Sequence, residues 1–412
     1  MTMELDLGTE AKKVRDEVRM FLEANQPEGL GGLDEEQAAF ANTPEAKAWA
    51  DKLAEHGFMC VSWPKEFGGR GLSGIEVAVL NEEFARLKVP RVTRGMGEWL
   101  VGPSIIVHGT DEQKARFLPR IISGENRYCQ GFSEPDAGSD LAGLKTRGVI
   151  DGEEIVITGQ KVWTSGAQQA NMMFCLCRTD PDAPKHKGIS YVLLPMFTDD
   201  GSSNGIELRP IRQITGSAHF TETFLSDARA PVANAIGGLH NGWRVTMTTL
   251  GNERGGNATT QHVRFTSEFW DLVTEAQKRG RADDPRVRQE LAKGFSNVEI
   301  MRYNGLKALS EVVAKKEPGP ASALNKMFWS EHHRRFGEVA LDVLGMSATV
   351  FEKDQGDEYR PDRWQQMFLS SRSETIWGGT AQVQRNIVGE RVLGLPKEPS
   401  ASEATKETGP PR

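Results

Sequence analysis

Thr146-Arg-Gly-Val-Ile-Asp-Gly-Glu-Glu-Ile-Val-Ile-Thr158 reads as two short β-strands joined at Asp151-Gly152. Asp-Gly is among the best two-residue hairpin turns because both positions accept positive φ, and the arms are rich in β-branched residues. Working outward, the character of the chain changes on both sides. Upstream of about residue 125 apolar residues recur at spacings of three and four; from there the period falls to two, and near Asn241 the helical period returns. The expected fold class is therefore α+β and multidomain: a helical N-terminal domain over 1–125, a middle antiparallel β-barrel or sandwich over 126–238, and a C-terminal helical domain over 239–395. The tail at 396–412 is rich in Pro, Ser and Glu and is expected to be disordered.

Individual elements follow from the same pattern. Val14, Val18, Phe21 and Leu22 share a helix face, and Pro27 closes that segment. Thr43 and Pro44 start a second helix that buries Ala46, Trp49 and Leu53 and ends at Gly57. Thr110 with Gln113 has capping-box spacing ahead of Phe117 and Leu118, and Pro119 is placed at that helix's end. Further strands are expected at Met172–Cys177, Ile189–Leu194, Ile206–Leu208 and Thr221–Leu225, and the C-terminal helices break at Asp283-Asp284-Pro285 and Glu317-Pro-Gly-Pro320. Val287, Leu291, Phe295 and Val298 mark one buried face, and the last helix spans roughly Thr380 to Leu393.

Composition excludes several function classes. The 412 residues carry a formal charge of -7 with both signs interspersed, which argues against a nucleic-acid partner. Four cysteines without a CxxC pair suit a reducing, cytoplasmic setting, and no apolar run approaches a membrane span. The adjacent pair His332-His333 stands outside any metal-ligand spacing, and no GxSxG occurs, so no metal is expected.

Three segments could carry chemistry. Gly131-Phe-Ser-Glu-Pro-Asp-Ala-Gly-Ser-Asp140 combines small residues and hydroxyls that let backbone amides approach a ligand, although an ordinary surface turn has the same composition. Gly159-Gln-Lys-Val-Trp-Thr-Ser-Gly166 leaves a strand and presents Trp163 between hydroxyls; a core tryptophan is the plainer reading. Glu374-Thr-Ile-Trp-Gly-Gly-Thr-Ala-Gln-Val-Gln-Arg-Asn386 sets two glycines ahead of a helix, where free N–H groups favour an anion. In this order and at these separations the three resemble the acyl-CoA dehydrogenase family. So do Trp63-Pro-Lys-Glu-Phe-Gly-Gly69, His108-Gly-Thr-Asp-Glu-Gln-Lys114 and Val392-Leu-Gly-Leu-Pro396.

The resemblance implies a C-terminal four-helix bundle and non-covalent FAD. It assigns Ser133 to the flavin edge with Phe132 against the ring, Trp163 to the wall behind the isoalloxazine, and Ser165 to the N5 region. Thr380 and Gln382 match positions holding the pyrophosphate and adenosine half, and Gln130, Gly138, Thr164 and Gly379 complete the cofactor-binding set. Ser139 and Arg254 match positions beside the CoA moiety.

An α-proton of a thioester is removed by a carboxylate near Cα with donors on the carbonyl oxygen. Many family members place that carboxylate directly before the Gly-Thr of the third segment, where this chain has Gly378. Isovaleryl- and long-chain-type members supply it instead from a C-terminal-domain helix in a Leu-x-x-Glu-Arg context, matched here by Leu250-Gly-Asn-Glu253-Arg254. Glu253 is thus the expected base, and the backbone N–H of Gly378 the expected donor to the carbonyl. Gly255 and Gly256 are expected to widen the acyl pocket, with close helix packing as the alternative. Two cofactor stretches of the family depart here, as Lys278-Arg-Gly-Arg281 and Asp342-Val-Leu-Gly-Met346. The implied partners are an acyl-CoA substrate and an electron-transfer flavoprotein, in a homotetramer, a homodimer or a heteromer. A non-catalytic or flavin-sharing partner subunit and an acyl-CoA oxidase are the competing readings.

Overall fold

The computed structural model describes residues 8–27, 30, 43–255, 261–313, 322–353 and 359–397. Two compact units divide the chain between Arg264 and Phe265.

The first unit opens with helices α1 (Thr9–Ala24), α2 (Pro44–Glu55), α3 (Gly74–Arg86), α4 (Gly102–His108) and α5 (Asp111–Ser123). Their starts obey the local chemistry. Thr43 accepts from the Ala46 amide, and Ser73 and Thr110 each form a complete capping box with Glu76 and Gln113. Val14, Val18, Phe21 and Leu22 are buried, as are Ala46, Trp49 and Leu53. Helix α5 carries Pro119 inside its last turns, as expected, and Gly124 ends it in left-handed backbone.

A mixed sheet follows: β1 (Tyr128–Gly131), β2 (Arg147–Asp151), β3 (Glu154–Ser165), β4 (Met172–Arg178), β5 (Ile189–Pro195), β6 (Ile206–Ile211), β7 (Phe220–Pro231) and β8 (Ala235–Ile236). Strands lie in the order β6-β7-β3-β2-β4-β5-β8, with β1 against β4. The hairpin forms as the sequence indicates, with Asp151 opposite Glu154 and Gly152 at φ 63. Most pairs are antiparallel, but β1 joins β4 in parallel, and β2 touches β4 in parallel at Arg147 and Arg178. The long connection through β2 and β3 permits this, because a parallel pair cannot be closed by a tight turn. Helix α6 (Gly242–Gly255) then packs on β5 and α4. Two bonds pin it: Ser104 Oγ lies 2.7 Å from Thr249 Oγ1, and His108 Nε2 lies 2.7 Å from Thr248 Oγ1.

The second unit holds α7 (Gln261–Lys278), α8 (Pro285–Val313), α9 (Ser322–Leu344), α10 (Arg363–Glu374) and the short α11 (Ala381–Ile387). The four longer helices share one core. Phe269 and Leu272 come from α7, Val287, Leu291 and Val298 from α8, Trp329, Phe336 and Val343 from α9, and Trp364 and Met367 from α10. Phe295, expected on the buried face of α8, is 43% exposed and rests against Phe269 and Trp270 at 5.6 and 6.3 Å. The apolar stripe of α8 is wider than the seam it buries. Among the described residues no helix is long and apolar enough to cross a membrane. The expectation for the tail falls almost wholly outside the described residues.

Candidate active site

In the first unit the segment after β1 is drawn into a tight loop by one carboxylate. Glu134 accepts from the Lys145 amide at 2.6 Å and from the Thr146 amide at 2.9 Å, and takes the Lys161 ammonium at 2.8 Å. Lys161 is fully buried and also donates to the Phe132 carbonyl at 3.1 Å. Burial alone would raise the Glu134 carboxyl, but Lys161 and the amide donors outweigh it and hold its pKa below the usual range. Glycines allow the close approach: a Cβ on Gly131 would meet Met173 Sδ at 2.5 Å, and one on Gly159 would meet Thr146 Oγ1 at 2.5 Å.

Lys161 belongs to the same stretch of β3 as Trp163. Between Lys161 and Thr164 the pairing of β3 with β7 slips, which marks a bulge. Inside it Trp163 adopts φ 61, a left-handed conformation that is unfavourable for a bulky side chain, and its indole is 58% exposed. Burial on both sides fixes this geometry. Lys161 and Thr164 are fully buried, and Thr164 is embraced by Thr221 and Thr223, with Thr223 Oγ1 3.3 Å from Thr164 Oγ1. Phe220 meets the Trp163 ring edge-on at 6.1 Å. Such a tryptophan is not core; it offers a flat face to a ligand.

Around that face the other expected residues divide. Ser133 and Ser165 are half-buried, and among the described residues neither hydroxyl has a side-chain partner, so both can donate. The Ser133 carbonyl accepts from the Val162 amide at 3.0 Å, tying the loop to the bulge. Gln130 is half-buried on β1, whereas Gly138 and Ser139 are exposed, and a Cβ on Gly138 would meet nothing within 4 Å. Phe132 is 4% exposed, its ring packed edge-on against Phe174 and Tyr191, so it offers a ligand its main chain and not its ring.

In the second unit Gly378 and Gly379 both take left-handed backbone, at φ 64 and 89. Gln384 Nε2 donates to the Gly378 carbonyl at 3.2 Å, and the Thr380 hydroxyl caps α11 by accepting from the Val383 amide at 3.1 Å. Gln382 is exposed on that helix. A separate cavity of about 310 Å³ in this unit, bordered by Asn297, His332, Arg335 and Arg385, contains none of the expected residues.

Position 253 lies on the backbone of α6, four residues beyond the pinned Thr249; the side chains of Glu253 and Arg254, and all of Gly256, lie outside the described residues. The Glu134–Lys161 pair was not legible in the sequence as a site element. Its one trace is the strand alternation that points Lys161 inward.

The residues fit a flavin. The exposed, strained indole and the two unspent hydroxyls suit an aromatic ring with a hydrogen-bonding edge. Comparison with known proteins bears on the family. The acyl-CoA dehydrogenase N-terminal, middle and C-terminal domain descriptions match residues 8–125, 129–228 and 240–393. Among curated proteins, acyl-CoA dehydrogenase IpdE1 of Mycobacterium tuberculosis is 42% identical over 90% of this chain and 92% of its own length. IpdE1 of Mycolicibacterium smegmatis is 40% identical over 94% and 99%. Among solved structures, the Tcur3481-Tcur3483 steroid ACAD superposes with a TM-score of 0.80 at 31% identity, covering 96% of this chain and 100% of that one. The ChsE4-ChsE5 complex from Mycobacterium tuberculosis superposes at 0.75 with 30% identity, covering 97% and 100%.

Proposed function

The chain belongs to the acyl-CoA dehydrogenase family, and from that premise we propose that it oxidises a bulky, ring-bearing acyl-CoA across Cα–Cβ with Glu253 as base and FAD as cofactor. The observation that carries the reading is Trp163, an exposed indole held in left-handed backbone by buried neighbours on both sides. Strain of this kind, about 1–3 kcal/mol, persists where the surrounding structure enforces it, and it clusters at ligand sites.

The roles divide as follows. Trp163 backs the isoalloxazine. The Ser133 and Ser165 hydroxyls and the main chain at Gln130, Phe132, Gly138 and Thr164 take its polar edge. Gly379, Thr380 and Gln382 hold the pyrophosphate and adenosine half, while Ser139 and Arg254 take the CoA portion. FAD, when bound, supplies the hydride acceptor for Cβ. Glu253 removes the α-proton, and a desolvated glutamate would have a raised pKa that matches it better to that task. The Gly378 amide donates to the thioester oxygen as charge moves there; one such donor is worth about 3 kcal/mol in the transition state. Because that donor is main chain, it survives the absence of a side chain.

The ring-bearing substrate is supported by the similarity to a solved chain named as a steroid acyl-CoA dehydrogenase. The same relative and the ChsE4-ChsE5 complex are described by two chain names each, which supports a heteromer as the assembly to test beside a homo-oligomer. An electron-transfer flavoprotein is the proposed acceptor. Anaerobic titration with straight, branched and ring-bearing acyl-CoAs, following bleaching of the oxidised flavin, tests the reading. Glu253→Gln should keep FAD and thioester affinity and lose flavin reduction by roughly a thousandfold; ordinary reduction in that variant would remove Glu253 from the mechanism. Protein that stays colourless with FAD present would favour the partner-subunit reading, and peroxide formed stoichiometrically in air would favour the oxidase.

A further inference from the structure

The glycine loop of the second unit is held from below by one face of α9. Lys326, 7% exposed, donates to the Glu374 carbonyl at 2.6 Å and to the Gly379 carbonyl at 3.0 Å, so a single ammonium spans both ends of the loop. Two turns along, His333 is 1% exposed, and its Nδ1 lies 2.7 Å from Glu374 Oε2. Its Nε2 lies 3.3 Å from Glu268 Oε2, near enough for charge attraction. Burial disfavours the charged imidazolium, but the two carboxylates outweigh it and lift His333 to about 9.

Two further carbonyls of the loop are also engaged: Thr375 O accepts from the Ala381 amide at 2.9 Å, and Gly378 O accepts from Gln384. The amides of Gly378 and Gly379, by contrast, have no acceptor among the described residues. A trans peptide is planar, so fixing a carbonyl oxygen aims the following N–H the opposite way. Gln384 therefore sets the Gly379 amide, and Lys326 sets the Thr380 amide. We propose that Lys326, with His333 locking the Glu374 end, is a positioning residue that keeps the Thr380 amide, and with Gln384 the Gly379 amide, turned outward for the anionic part of FAD. The inference rests on the reading that this loop serves the flavin and the substrate.

Replacing Lys326 with Met removes two charge-assisted hydrogen bonds and keeps the length of the side chain. FAD titration into the flavin-free full-length chain should show a Kd weakened roughly ten- to hundredfold. Exchange of the Ile376, Trp377 and Ala381 amides, which donate to the Ser373 and Thr375 carbonyls, should speed up by a similar factor, with unchanged far-UV circular dichroism. His333→Gln, a milder change, should speed exchange over the same residues by a smaller factor. If Lys326→Met fails to fold, the His333→Gln measurement decides. Wild-type exchange of the Ile376, Trp377 and Ala381 amides in whichever variant folds overturns the proposal. The exchange arm needs neither flavin nor substrate, so it stands even if wild-type protein binds no FAD, an outcome that would sink the functional reading alone.

Discussion

Trp163 and Lys161, two residues apart on β3, carry opposite kinds of cost. Trp163 holds an unfavourable φ that glycine would adopt freely. Trp163→Gly should leave the flavin-free chain at least as stable as wild type in chemical denaturation while FAD binds more weakly; a clear loss of stability would show that the indole is a core residue after all. Lys161 is a buried cation whose loss strands the Glu134 carboxylate, so Lys161→Met should cost roughly 3–5 kcal/mol, and adding Glu134→Gln should recover part of it. The bend at Trp163 could not be anticipated, because a conformational outlier leaves no trace in residue type. Ser133 and Ser165 are nominated by a family motif; the Glu134–Lys161 pair has no such mark, since 27 residues separate the two and only folding joins them.

Elements were easier to read than contacts. Capping at Thr43 and Thr110, the Asp151-Gly152 turn and the break at Asp283-Asp284-Pro285 before α8 follow from local chemistry, and the structure keeps all of them; the break at Glu317-Pro-Gly-Pro320 lies outside the described residues. Local rules are silent on which strand β1 will pair with, and on how much of the α8 stripe its neighbours can cover, which is why the parallel pair and the exposure of Phe295 emerged only on folding. Helix α9 adds a testable pH dependence. Burial, helped by the charge on His333, pushes His332 down to about 4, while His333 is lifted to about 9. Between pH 4 and 6.5 the unfolded chain binds the His332 proton and the folded one does not, so stability rises with pH; between 6.5 and 9 the folded chain retains the His333 proton and stability falls. Thermal unfolding should therefore show a maximum near pH 6.5, and His333→Gln should flatten the alkaline limb. An equally steep decline above neutrality in that variant would assign the limb to other groups.

For the molecule as a whole, ligand linkage is the relevant test. A cofactor that binds only the folded chain at about a hundred times its Kd adds roughly 2.7 kcal/mol to unfolding. Scanning calorimetry with FAD should show an upward shift that grows with concentration, and adenosine diphosphate alone should give a smaller one. The helix–β–helix order, and with it the family, was legible because it rests on periodicity and three motifs; the assembly was not, because an interface depends on surfaces that no short motif encodes. The successive left-handed residues at Gly378 and Gly379 also bear on descent. A single base change turns a glycine codon into a glutamate codon, yet here it would install a side chain where the backbone opposes one. Gain of a carboxylate on this loop is thus open to mutation but hindered by conformation. Where another element supplies the base, such a loop would act as a ratchet, leaving later lineages free to diversify in what they oxidise while keeping the acid–base duty off this loop.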